Sequence, residues 1–151
     1  MIKRIIKMGV IALAVVFVAI QFSRPDFENP PVKQGESLED IYDVPVGVKR
    51  ILKRSCADCH SNETVYPWYS KIAPVSWGMH DHIRLGREEM NFSIWATYSD
   101  KKRARKLEEI CEEVREGGMP YYQYLWLHAE AVVTPEQKDQ LCKWTSAPVK
   151  R

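Results

Sequence analysis

In Lys53–Ser70, "KRSCADCHSNETVYPWYS", Cys56 and Cys59 stand two residues apart and His60 follows the second directly. Three kinds of chemistry use that spacing. Two thiolates supply half of a tetrahedral zinc site. Two thiols can also cycle through a disulfide. Or they can add to the two vinyl groups of a haem, while a histidine beside the second thiol turns under the ring and ligates the iron.

A closed zinc site needs two further ligands, which the chain would have to draw from Cys111, Cys142 or other histidines. Neither of those cysteines belongs to a second C-x-x-C. A thioredoxin-like dithiol needs a βαβ setting, and no stretch shows the sustained alternation of a strand. The haem reading uses all three residues as they stand, but C-x-x-C-H is short and needs support from the rest of the chain.

The elements that must position the motif read as helices. In "VGVKRILKRSCADCH", Val48, Ile51, Leu52 and Cys56 make one apolar stripe, predicting a helix that ends near His60. "SNETVYPWYSKIAP" is a loop, and a second helix starts at Pro74. A third is capped by Ser99, carries Leu107, Ile110, Cys111 and Val114 on one face, and stops at Gly117-Gly118. The last opens with Thr134 as cap, Pro135 in its first turn and Gln137 closing a capping box. The fold class is all-α.

Lys3, Arg4, Lys7 and Arg24 are the charges of the first 24 residues, and no acidic residue accompanies them. Without these four the 22 basic side chains fall to 18, against 20 acidic ones, so the remainder is about −2. That balance gives no electrostatic case for nucleic acid. The apolar run from Met8 to Ile20 has no A-x-A cleavage site after it. It reaches the roughly 17–20 residues of a bilayer span if Lys7 snorkels to the interface. The basic side stays in the cytoplasm, so everything after Phe22 is expected outside, in the periplasm. Residues 1–22 are therefore read as a single-pass membrane helix; a signal cleaved at an unusual site is the alternative. Residues 23–45, with four prolines, read as an extended tether, and residues 46–151 as the domain.

Export and helices strengthen the haem reading, because c-type attachment takes place on the outer face of the bacterial membrane. His60 is then the proximal ligand. For the far side the candidates are Met79, Met90, Met119, His80, His82 and His128. Met119 is favoured: it follows the helix stop at Gly117-Gly118, and Pro120 stiffens the loop behind it. A thioether suits a low-spin electron carrier. His80 and His82 lie two apart on a helix and point to different sides, so at most one could replace Met119.

Three longer stretches, "CADCHSNETVYPWYSKIAPVSW", "GREEMNFSIW" and "GGMPYYQYLWLH", resemble the haem-binding-domain family of membrane-anchored bacterial proteins. More broadly, residues from about Val46 to Trp144 are similar to single-haem cytochromes c. The resemblance implies a cytochrome c-like fold and one covalent haem c. It implies no defined substrate or partner.

Arg87 could pair with a haem propionate or with a helix-surface glutamate. Tyr66, Trp68, Tyr69, Trp77 and Trp95 are candidates for the pocket wall, and His128 for a structural role. Cys111 and Cys142 could form a disulfide in an oxidising compartment. Lys101–Lys106, "KKRARK", reads as a solvated face or as a dock for an acidic redox partner. The expected protein is a membrane-anchored monohaem cytochrome that carries electrons and makes no bonds, with unidentified redox partners. A haem sensor or a small peroxidase, with an open or labile sixth position, is the alternative.

Overall fold

The structure is a computed structural model describing residues 1–150; Arg151, the last residue of the expected domain, lies outside them. Helix α1 (Ile2–Ile20) runs into a 3-10 turn at Gln21–Ser23 and buries no residue against the rest of the chain. Ile2–Ser23 is long and apolar enough to cross a membrane, with a mean hydropathy of 2.4.

The packed body starts earlier than Val46. Ser37 caps the short α2 (Leu38–Ile41) in a capping box with Asp40, and Leu38, Tyr42 and Val44 are buried in the core. Upstream, the proline-rich segment lies against the body instead of standing off it. The Asn29 amide donates to the Thr64 carbonyl at 2.9 Å, the Asn62 amide to the Pro31 carbonyl, and the Ala96 N–H to the Glu36 carbonyl. Proline has no N–H to donate, so the segment is tied down by its own side chain at Asn29 and by donors of the body at Asn62 and Ala96.

Helix α3 (Val46–Ser55) turns Val48, Ile51 and Leu52 inward, and α4 (Ala57–His60) follows after a break at Cys56. Helix α5 (Val75–Glu89) starts after Pro74, as predicted. Helix α6 (Asp100–Glu116) is capped by the Ser99 hydroxyl and ends at Gly117, whose φ of 80° is the left-handed conformation that glycine adopts without cost. After a short α7 (Tyr122–Leu125), α8 (Pro135–Ser146) opens with the expected Thr134–Gln137 capping box. Leu107, Ile110 and Val114 of α6 meet Leu141 and Trp144 of α8 and the α3 stripe in one core around the fully buried Trp95. Cys111 and Cys142 are joined by a disulfide, with 4.9 Å between their α-carbons.

One small feature departs from a purely helical chain. Tyr42–Asp43 (β1) pairs antiparallel with Val149–Lys150 (β2). Two residues are too few to produce an alternating pattern, so tertiary closure of the body makes this ladder, not local sequence.

Candidate functional site

The break at Cys56, with φ −132° and ψ −39°, lets the chain restart as a single turn in which the N–H groups of Cys59 and His60 both bond back to the Cys56 carbonyl. That turn presents both thiols and the imidazole to one cavity of about 670 Å³, a size usual for a bound cofactor.

His60 is held from behind. Its Nδ1 lies 2.9 Å from the Gly86 carbonyl and 3.1 Å from that of Met90. A carbonyl only accepts, so Nδ1 carries the proton and Nε2 keeps its lone pair, the arrangement of a ligating histidine. Gly86 makes this possible. A Cβ there would stand 2.6 Å from the Cys59 carbonyl oxygen, so only glycine lets α5 come this close to the motif. Buried hydrogen bonds fix the chain on both sides: Asn91 donates to the Asn62 side-chain oxygen at 2.7 Å, and the Asn62 N–H donates to the Ser93 hydroxyl at 3.0 Å.

Enclosure sets the charge states. Burial, helped by the neighbouring Cys59, pushes the Cys56 thiol up to about 12; burial and the Asp58 carboxylate push Cys59 to about 11. Burial lowers His60, partly opposed by its two backbone bonds. At neutral pH the site holds two thiols and a neutral imidazole. A redox dithiol needs the opposite shift, toward thiolate. A protein-only metal site needs a further cluster, and among the described residues no three His, Cys, Asp or Glu gather to hold an ion. The donor set that is present fits a haem: paired thiols, one free imidazole nitrogen and mostly apolar walls.

Met119 lines the same cavity, on the loop after α6, where its N–H bonds to the Glu113 carbonyl at 3.1 Å. Met79 and His82 line the cavity too, and the His82 ring lies edge-on to Tyr121 at 4.9 Å. His80 points away and faces Phe27 in a separate cleft. Met90 is buried in the core and contributes only its carbonyl to His60.

Other expectations need correcting. Arg87 pairs with no glutamate. Its guanidinium donates to the Ser61 carbonyl at 2.8 Å, the Thr64 hydroxyl at 2.8 Å and the Asn29 side chain at 2.6 Å, which ties the post-motif loop to the upstream strap. Of the five proposed wall aromatics only Tyr69 reaches the cavity. Trp95 is core, Tyr66 lines the other cleft, and Trp68 and Trp77 face outward. In the basic run, Lys106 is buried and ion-paired with Glu89 and Glu109, Arg105 pairs with Glu109, and Lys102 lies over the Tyr98 ring.

Neither motif nor periodicity signals the polar chain that runs along one wall. The Tyr124 hydroxyl donates to Asp58 at 2.7 Å, and its ring stacks on His128 at 4.0 Å. His128 Nδ1 donates to the Tyr124 carbonyl, which leaves Nε2 to accept from the Tyr69 hydroxyl at 3.3 Å. Burial, then the Asp58 hydrogen bond, holds the Tyr124 phenol far above its ordinary range. His128 is thus structural, as expected, but at the cavity wall.

No curated protein and no solved structure matches this chain. A family model described as a haem-binding domain matches residues 15–147, which span the motif, the strap, the Met119 loop and α8. With the match covering nearly the whole body and the cavity furnished as it is, the chain belongs to the haem-binding domain family.

Proposed function

We propose that this protein is a membrane-anchored, single-haem c-type cytochrome that carries electrons outside the cytoplasmic membrane. The observation that carries the reading is His60: its Nδ1 is committed to two carbonyls, and its Nε2 is free beside two protonated thiols at one cavity. A bound haem would supply the iron that cycles between ferric and ferrous. Cys56 and Cys59 would hold it through thioethers, and His60 and Met119 would ligate its iron. The Gly86 and Met90 carbonyls keep the His60 imidazole from turning, which would limit the reorganisation an electron carrier must undergo. No residue is asked to make or break a substrate bond, so the protein is not an enzyme on this reading. Helix α1 holds the domain on the periplasmic side, and the redox partners are proteins or membrane components not identified by the chain.

A second reading draws on one observation: Met79 and His82 line the same cavity as an exposed Met119. A weakly held sixth position would suit a gas sensor or a small peroxidase. The visible spectrum of periplasmically matured protein, reduced, with and without carbon monoxide, separates the two. An unchanged low-spin spectrum supports the carrier. Ready carbon monoxide binding overturns it in favour of the sensor or peroxidase.

A further inference from the structure

The membrane anchor does not leave the body freely. The Gln21 side chain makes two bonds to one backbone position: its amide donates to the Ala73 carbonyl at 3.1 Å, and its oxygen accepts from the Ala73 N–H at 3.0 Å. Trp77 Nε1 donates to the Ser23 carbonyl at 2.8 Å, and the Arg24 guanidinium bonds the Lys71 carbonyl. If α1 crosses a bilayer up to Ile20, whatever touches Gln21–Arg24 lies at headgroup level. Lys71–Trp77 is therefore membrane-proximal.

That same segment is a wall of the cavity. Val75, between the two anchor contacts at Ala73 and Trp77, lines it, as do Val65, Tyr69 and Leu127. The outer rim is apolar and left in the open. Val65 and Trp68 are each 76 % exposed, Trp126 is 73 % exposed, and Val75 and Leu127 are exposed as well. Trp68 packs on Tyr69, whose hydroxyl reaches His128 beside Leu127, so the 65–69 loop and the segment after α7 meet at this edge of the cavity. Contiguous exposed apolar side chains mark an interaction surface. Tryptophan and tyrosine flanked by Lys71 and Arg24 are the residue types that settle at a membrane interface.

We propose that the mouth of the haem cavity rests on the bilayer, with Val65, Trp68, Val75, Trp126 and Leu127 seated among the lipid headgroups. The body is then held in one orientation by Gln21, Arg24 and Trp77 and does not swing on a spacer. The cavity's open edge meets partners that are dissolved in, or embedded in, the membrane. The proposal rests on the anchoring by α1 and goes beyond the assignment of a carrier role.

The test uses full-length holoprotein in phosphatidylcholine nanodiscs. The thioethers and the disulfide engage the four native cysteines, so an introduced one takes a fluorescent label selectively. Labels go at Trp68→Cys and Leu127→Cys, with Lys101→Cys as control. Lys101 lies about 22 Å along α6 from the end that carries the Met119 loop. Quenching by a nitroxide-bearing lipid should be several-fold stronger at positions 68 and 127 than at 101, and quenching by aqueous iodide several-fold weaker. If positions 68 and 127 match the control while the protein stays in the discs, the anchoring stands and the seated rim is wrong. Shielding from lipid and iodide alike would also overturn the proposal, since a second protein would then cover the rim. A chain that does not enter discs removes the anchor and this inference together. The haem absorption band, read on the same samples, reports separately on the cofactor assignment.

Discussion

The Gly86 carbonyl oxygen lies 2.9 Å from Nδ1 of His60, and the hydrogen in place of a Gly86 side chain is what permits the approach. One backbone position thus helps fix the tautomer of His60 and sets the spacing between α5 and the motif. Gly86→Ala would drive a methyl against the Cys59 carbonyl, a backbone atom with no easy way to yield. The expected result is a loss of about 1–3 kcal/mol in urea unfolding, together with a perturbed low-spin spectrum. A variant of unchanged stability and spectrum would show that His60 is oriented by something else.

Met119→Ala should leave haem attachment intact and open the sixth position, so that reduced protein binds carbon monoxide. His82→Ala should leave the spectrum as it was. The reverse pattern would give His82 the ligand role, which its place in the cavity allows.

The Lys106 cluster predicts a pH dependence. The Lys106 hydrogen bond is the largest influence lowering Glu109 below the ordinary glutamate value. A carboxyl depressed in the folded state contributes stability above its unfolded value, near pH 4.5, and that contribution fades as pH falls through the folded value. For Lys106, burial pulls the ammonium down, but its bonds to Glu109 and Glu89 outweigh burial and leave it raised. Its contribution persists below about pH 10.5 and is lost in strong alkali. Lys106→Met should cost about 1 kcal/mol at pH 7 and flatten the acid limb below pH 4.5. Parallel stability profiles for the two proteins would contradict this.

The disulfide between Cys111 and Cys142 closes a sequence separation of 31 residues and ties α6 to α8, the helices that flank the Met119 loop. The chain-entropy relation assigns a loop of that length about 3–4 kcal/mol. Cys111→Ser paired with Cys142→Ser should lower the denaturant midpoint accordingly, and carbon monoxide should gain access before global unfolding if the bridge steadies Met119.

Local chemistry made much of this legible from sequence. The cap at Ser99, the box at Thr134–Gln137 and the stop at Gly117 act within one turn, and each helix they bound lies where periodicity placed it. The motif's own geometry was not: periodicity carried one helix through Cys56 to His60, whereas the chain breaks at Cys56 into α3 and α4. What also escaped was contact between distant segments. The Arg87 bonds to Asn29, the Gly86 fit against Cys59 and the Tyr124–Asp58 bond join residues 27 to 66 positions apart. No spacing rule encodes such pairs. The aromatic wall was misassigned for a related reason, since a tryptophan looks alike in sequence whether it fills a core, as Trp95 does, or faces out, as Trp68 does.

Arg87 gives the sharpest separation between a cofactor contact and a structural one. Its guanidinium satisfies the Ser61 carbonyl, the Thr64 hydroxyl and Asn29, and it lies outside the cavity lining. Hydrogen bonds from a charged donor contribute about 1.5–3 kcal/mol each at most, and here they share one donor. Arg87→Met should therefore cost about 2–3 kcal/mol and release the strap around Asn29 to proteolysis. A propionate partner would behave differently: removing its positive charge beside the cofactor would favour the ferric state and lower the reduction potential. The expected outcome is lower stability and faster cleavage near Asn29, with only a small fall in potential, because the Arg87 charge reaches the cavity at Cys59 without lining it. A large fall in potential with full stability would return Arg87 to the cofactor.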